Sequence, residues 1–532
     1  MKVDKVIITN FKALRNKYAA AGVSKIRDGI SKLIVADKNR GLATRLIALD
    51  DAGAMREFST HSVSNPRDPK QNKIAIDALY KALAPDFLMI LGAADVVPHQ
   101  DLKNPAFSPG PNGDPDKFAY GDLPYACEHA YSRQPQDFVG PTRVVGRLPD
   151  LKGGKDPHYI LGLLETAANY SSSSPERYRS YFSISAEIWK KSTTLSLTHV
   201  FGSASHLGTV PPEDDQWSSQ LLGRLSHFIN CHGAETDPKF YGQPASGAKK
   251  FPVAFTASYA KGKIKRGTIA AVECCYGGQL YDPSLYRGQM GICNTYLANK
   301  AYGFFASTTI AYGDSDSNSG ADLICQYFLD NILTGASLGQ AASKARQSFV
   351  HDNHDPVDLK TLAQFNLYGD PSVTPVMLPA AKKAVGPIPK AMVAAERVER
   401  SDRRRSLFRR GVELMTSVPV PHLVRTPPAR SIRSELTREA RRWDVRPTDF
   451  LRFVVRHPAR TTKLMPKALV HKEVVPTVFH IVFGETATAT LHRQKSVTRR
   501  KWAEMEGPRQ IVLLVAKEVN GKIVSIYKTV SR

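Results

Sequence analysis

Short runs of consecutive apolar residues alternate with longer amphipathic stretches over most of the chain. The runs cover residues 5–9 (KVIIT), 33–36, 45–49 (RLIAL), 87–91 (FLMIL), 225–231 (LSHFINC), 268–274 (TIAAVEC) and 302–310. Helical spacing covers 11–32, 73–84, 157–169, 216–224 and 319–350. Continuous apolar strands separated by helices predict an α/β fold whose mostly parallel sheet is flanked by helices on both faces. Residues 104–120 are rich in Pro, Gly and Asp and read as a loop. Near the end, residues 477–483, 510–515 and 522–530 read as strands, with Asn520-Gly521 as the hairpin turn between the last two.

A single hydrophobic core stops growing near ~250–300 residues, so 532 residues require several units. The pattern divides into an N-terminal α/β subdomain (1–84), a main domain (85–380), a basic linker (381–410) and a small β-containing C-terminal module (411–532). Charge sharpens this division. Of the net +24, residues 381–532 carry 33 basic against 13 acidic side chains, and seven arginines crowd residues 397–410. The remainder is close to neutral, so the two parts are predicted to meet different partners.

No run of 18 apolar residues is present, and residues 1–17 carry Asp4 and several Lys and Arg where a secretory signal would be apolar. Cys127, Cys231, Cys274, Cys275, Cys293 and Cys325 show no CxxC spacing. A reducing, cytoplasmic setting without a membrane partner is therefore expected, and a disulfide framework or zinc site is not.

Two apolar runs end abruptly in polar residues followed by glycine: His227-Phe228-Ile229-Asn230-Cys231-His232-Gly233 and Ala270-Ala271-Val272-Glu273-Cys274-Cys275-Tyr276-Gly277. Sites in open parallel sheets form at the carboxyl ends of strands. Neighbouring strands would bring His232 and Cys275 to one rim. A thiol is mostly protonated at neutral pH, and an adjacent imidazole can take its proton. The N–H groups of Gly233 and Cys275 would then serve as oxyanion donors. Alternate residues of a strand face opposite ways, so only one of Cys274 and Cys275 can face the imidazole. The competing reading is structural: a buried Cys as a small apolar residue and a strand-end His held by hydrogen bonds.

These segments resemble the caspase-like (clan CD) cysteine peptidases. Glu273-Cys274-Cys275-Tyr276-Gly277 is similar to the caspase Gln-Ala-Cys-X-Gly and the legumain Glu-Ala-Cys. The closer resemblance is to gingipain-type peptidases, whose His-Gly-Ser-Glu-Thr is matched by His232-Gly233-Ala234-Glu235-Thr236. Residues 85–92, Arg143-Val144-Val145-Gly146-Arg147-Leu148-Pro149 and Asn366-Leu367-Tyr368-Gly369-Asp370-Pro371 look like further segments of that family, so the resemblance spans about residues 80–376. It implies a caspase-like fold with no cofactor, Cys275 as nucleophile, His232 as base and Gly233 as oxyanion donor. Cys274 takes the small apolar position. It also implies cleavage of a protein or peptide substrate after a basic residue, with a carboxylate at the base of the pocket. Glu235 and Asp237 stand nearest the His in sequence, as pocket carboxylates or as residues that shape the loop. For a third residue orienting the His, Glu165 and Glu187 are candidates without a matching motif. The gingipains' extracellular setting is not matched, which favours a regulated, intracellular cut. The arginines at 397–410 would then be a site of self-cleavage.

Asp314, Asp316, Asn318, Gly320 and Asp322 alternate as the oxygen ligands of a calcium loop do, although Cys325 stands where an EF-hand has its Glu. The alternative is a polar loop capping the following helix. A second function class is an inactive caspase-like scaffold whose basic C-terminal module holds nucleic acid or another anionic partner. The salt dependence of nucleic-acid affinity separates it from the enzyme.

Overall fold

The structure is a computed structural model describing residues 2–378, 390–457, 475–486, 508 and 510–532. The apolar runs at 5–9, 45–49, 87–91, 225–231, 268–274 and 302–310 enter one ten-stranded sheet. Its order is Thr44–Ala48, Lys5–Thr9, Phe87–Leu91, Val145–Leu148, Phe365–Tyr368, Gly303–Ser307, Ile269–Val272, Ser226–Asn230, Tyr181–Ala186, Leu207–Val210. All neighbours are parallel except Phe365–Tyr368 and Gly303–Ser307. The sheet is thus two parallel halves running in opposite directions, joined through the last of its strands. Both faces are covered, as the unbroken apolar runs require: Ala270 and Val272 belong to one core cluster, Ile269 and Ala271 to another.

Local differences have local causes. The apolar run at 33–36 is not a strand. It continues the buried stripe Val23, Ile26, Ile30 and Leu33 of the helix Phe11–Asn39. The stretch 319–350 is two helices, Ala321–Leu333 and Leu338–Asp352, separated by Gly335 at φ +85° and restarted by a Ser337–Gln340 capping box. Only Ser219–Leu222 is helical within 216–224.

The family-like segments meet in the interior. The Arg147 guanidinium donates to Asp122 at 2.5 Å and to the carbonyls of Gly92 and Val97, and His99 lies 3.0 Å from the same carboxylate. Lys5 pairs with Asp370 and, at 3.0 Å, with Asp37. These buried ions are each paired, which is the condition for burying them at all.

The C-terminal module is an antiparallel sheet in the order Lys522–Ser531, Val512–Val519, Thr477–Thr486, Val445–Arg456, Val420–Val424. Asn520 and Gly521 turn the last hairpin with φ of +52° and +75°, as the dipeptide predicts. The module packs against the main domain. Lys522–Ser531 also pairs antiparallel with the short strand Tyr312–Gly313. One apolar cluster joins Phe453, Phe479, Ile481, Phe483, Leu513 and Val515 of the module to Ala106, Cys275, Ile310 and Tyr312. The arginine-rich stretch lies on the helix Lys390–Ser417, where Arg397, Arg400 and Arg404 approach the buried Asp4 and Asp86. A helical backbone must unwind before a cleft can read it as an extended peptide. Residues 381–389 lie outside the described residues. Among the described residues no helix is long and apolar enough to cross a membrane.

His227, wholly buried, accepts from the Tyr296 hydroxyl at 2.8 Å and donates to the Arg224 carbonyl at 3.0 Å. Burial pulls it from 6.5 down to about 3. Unfolded, it would take up a proton near pH ~6.5. Its contribution is therefore full above that pH and is lost as the pH falls toward 3. Replacing His227 with Gln is expected to flatten the acid-side loss of stability by a few kcal/mol, read as urea midpoints between pH 7 and 4. An unchanged pH slope would contradict it.

Candidate active site

The strands carrying the two polar-ended motifs are direct neighbours. Ser226–Asn230 and Ile269–Val272 are parallel and in register, Ser226 opposite Ile269 and Ile229 opposite Val272. Their carboxyl ends bring the next residues of each to one rim. There Gly233 lies so close to Cys275 that a Cβ on it would come within 1.9 Å of the Cys275 carbonyl oxygen. Only glycine fits this approach. The chain leaves the rim through Tyr276, held at φ +55° and anchored by its hydroxyl on Asp116 at 2.8 Å. A non-glycine residue in the left-handed region is uncommon and marks a constrained turn.

The strand alternation separates the two thiols. Cys274 points into the core cluster with Cys231 and Ile229, while Cys275 belongs to the cluster under the C-terminal module. The Cys275 Sγ rests on Ala311, accepting from its N–H at 3.3 Å and lying 3.6 Å from its carbonyl. It makes no hydrogen bond to the His232 ring among the described residues. Burial pushes the Cys275 thiol up to about 12.

His232 sits in an aromatic box, its ring 4.3 Å from Trp189 and 4.9 Å from Phe251. Its Nε2 meets the Gln243 side-chain oxygen at 2.8 Å. The Gln243 amide nitrogen is committed to the carbonyls of Gly247 and Ala248, which fixes the oxygen toward the imidazole. Nε2 therefore carries the proton, and Nδ1 is a buried lone pair with no hydrogen-bond partner among the described residues. Burial draws His232 down to about 3, and the nearby Arg532 cation adds to this. Sulfur and imidazole are both uncharged in this state.

The residue orienting the imidazole is thus an amide. Glu187 accepts from the Ala245 N–H at 2.9 Å, and Glu165 lies on the helix His158–Ala168; among the described residues neither hydrogen-bonds His232. Gln243 carries no acidic signature in the sequence, because a neutral oxygen suffices to fix a tautomer.

The most informative occupant of the site is Arg532. Its carbonyl oxygen accepts from the N–H of Cys275 at 3.2 Å and of Gly233 at 3.4 Å, and its own N–H donates to the Ala311 carbonyl at 2.9 Å. Its guanidinium enters a closed pocket. There it donates to Asp322 at 2.5 Å and to the Asp314 carbonyl at 2.7 Å, lies 3.9 Å from Glu273, and stacks on Trp189 at 4.3 Å. Arg532, Asp322 and Glu273 are all fully buried. Asn230 steadies Asp322 with a hydrogen bond of 3.1 Å. Burial pushes both carboxyls up, Glu273 further than Asp322, and the guanidinium opposes the shift. Gly313 gives the pocket its width: a Cβ there would come within 2.3 Å of the guanidinium and 2.6 Å of Asp322.

The carboxylates facing this cation are Asp322 and Glu273, not the loop residues nearest His232. Glu235 points toward Gln279, and Asp237 meets the Tyr241 hydroxyl at 2.7 Å. Glu273 was in plain view beside the cysteine pair. Asp322 was visible only as the last oxygen of a calcium-like repeat. The side chains of that repeat do not converge: Asp316 meets Lys191, Asn318 meets Ser196, and Asp322 faces Arg532. Among the described residues no group of three or more His, Cys, Asp or Glu gathers as metal ligands would.

No protein-family model matches the sequence, and no curated protein matches it. A solved structure named "Structure of Protease" aligns with 99% of this chain and 96% of its own, at 11% identity and a TM-score of 0.43. At that level of similarity the alignment carries no argument about activity.

Proposed function

We propose that this protein is a cysteine endopeptidase that cleaves after arginine, with Cys275 as nucleophile and His232 as base. One observation carries the reading: Arg532 lies across the site as a substrate residue would. Its carbonyl oxygen is held by the two main-chain N–H groups beside the thiol, and its side chain fills an acidic pocket. Main-chain donors placed around a carbonyl oxygen stabilise the charge that develops there when a nucleophile attacks. Gln243 leaves the His232 Nδ1 free to accept a proton. Attack of the Cys275 sulfur on the carbonyl carbon would pass the thiol proton to the imidazole. The imidazole would return it to the leaving amine as the C–N bond breaks, and water would then release the thioacyl group.

The pocket favours arginine over lysine. A planar guanidinium can pair with Asp322, reach the Asp314 carbonyl and stack on Trp189 at once, whereas an ammonium cannot do all three. A peptide library that varies the residue before the cut is expected to return Arg well above Lys, and both far above neutral residues. Equal cleavage after neutral residues would overturn the pocket assignment.

A further inference from the structure

We infer that the segment 522–532 is a built-in occupant of the site: the C-terminal module inhibits the enzyme by laying its own strand Lys522–Ser531 in the substrate cleft. This rests on the peptidase reading and deepens it with a mode of regulation.

Four observations on separate parts of the molecule converge. The strand Lys522–Ser531 adds antiparallel to Tyr312–Gly313, pairing Ser531 with Tyr312 and Val530 with Gly313. Thr529 reinforces this with a hydrogen bond from its hydroxyl to the Gly313 carbonyl at 3.0 Å. Strand addition to a free edge is a common way for a cleft to hold an extended peptide. Second, the side chain that fills the acidic pocket is the chain's own. Two carboxyls buried without a cation would be costly, so the pocket calls for a guanidinium and the segment supplies one. Third, Cys275 itself lies within the apolar cluster that docks the module, and the residue is only 2% exposed. Fourth, the module reaches the base: Gln510 donates to the Gln243 oxygen that orients His232, at 3.2 Å.

The contacts outside the cleft hold the module in place. Ser108 donates to Asp449 and Asn112 to Glu485, each at 2.8 Å, and Tyr527 pairs with Asp355. A tethered occupant competes at an effective concentration in the millimolar range or above. An occupant whose own dissociation constant for the cleft is on the order of 0.1 mM then suppresses a competing peptide about tenfold or more. Activation requires that Ser531 and Arg532 leave the Ala311–Gly313 edge, which frees the two N–H donors and the acidic pocket together.

The test uses the full chain carrying Arg532→Gln, which removes the charge and keeps a polar side chain, with Arg532→Lys alongside it. Two readouts are taken. Alkylation of Cys275 by iodoacetamide, followed by mass spectrometry of its peptide, reports access to the thiol without assuming any activity. It is expected to rise at least tenfold in Arg532→Gln and less in Arg532→Lys. Turnover of a fluorogenic arginyl peptide is expected to rise about tenfold or more in kcat/KM, mainly through KM. The free tetrapeptide Thr-Val-Ser-Arg, the sequence of residues 529–532, should compete with substrate on Arg532→Gln and hardly on wild type. Faster alkylation without turnover in any variant would keep the occlusion and discard the peptidase reading. Equal turnover and equal alkylation in wild type and Arg532→Gln would overturn the inference and leave the peptidase reading standing.

Discussion

Cys275→Ala is expected to lower kcat on an arginyl peptide by about 10⁴-fold or more, because no other group at the rim can form the acyl intermediate. Removal of the nucleophile in enzymes that act through a nucleophile–base unit costs about 10⁴ to 10⁶ in kcat, and the residual rate comes from binding and the oxyanion donors. Here both donors, the N–H groups of Gly233 and residue 275, are main chain and survive the substitution. The neighbouring thiol is the internal control. Cys274 packs among Cys231 and Ile229 on the other face of the strand, so Cys274→Ala should keep its turnover and lose only modest stability. Steady-state assays on both variants in the Arg532→Gln background keep the occupant from masking the result. Turnover by Cys275→Ala at the rate of its parent would remove the assigned nucleophile.

The second large effect concerns the pocket. Asp322→Asn keeps the shape and removes the charge that meets the guanidinium at 2.5 Å. Truncating one member of a buried charge pair costs ~2–5 kcal/mol, which corresponds to about 30- to 5,000-fold in kcat/KM for an arginyl substrate. Glu273 should not substitute for it. It stands 3.9 Å from the guanidinium, beyond hydrogen-bond reach, and burial pushes its carboxyl well above the usual range. The measurement is the ratio of kcat/KM for paired arginine and citrulline peptides, which have the same shape and differ in charge. Asp322→Asn in the Arg532→Gln background should bring that ratio close to one. A ratio as large as in the parent would place the specificity elsewhere.

Some of this was readable without coordinates because the relevant physics is local. An unbroken apolar run ending in His-Gly, and another ending in two cysteines and a glycine-rich turn, show where two buried strands end. Parallel pairing of Ser226–Asn230 with Ile269–Val272 then places the ends together. The strands that went unread were short or polar: Tyr181–Ala186 carries Ser183 and Ser185 inside the core, and Val145–Leu148 contains Gly146 and a buried Arg147. Their burial depends on partners far along the chain, such as Asn230 through Thr193, or Asp122. The pocket was hidden for the same reason. Asp322 and Arg532 lie 210 residues apart, and no spacing rule connects them. Gln243 has no sequence signature because its role needs only a carbonyl oxygen.

The position of Phe365–Tyr368 in the sheet has a consequence for how the protein is made. Among the described residues this strand alone bridges the two oppositely directed halves, yet it is translated after both of them. Until it emerges from the ribosome, Val145–Leu148 and Gly303–Ser307 each present an unpaired edge that can template association with other chains. The nascent polypeptide therefore carries an assembled rim on an open half-sheet for some time. A helper that shields such edges during synthesis would raise the yield of folded protein.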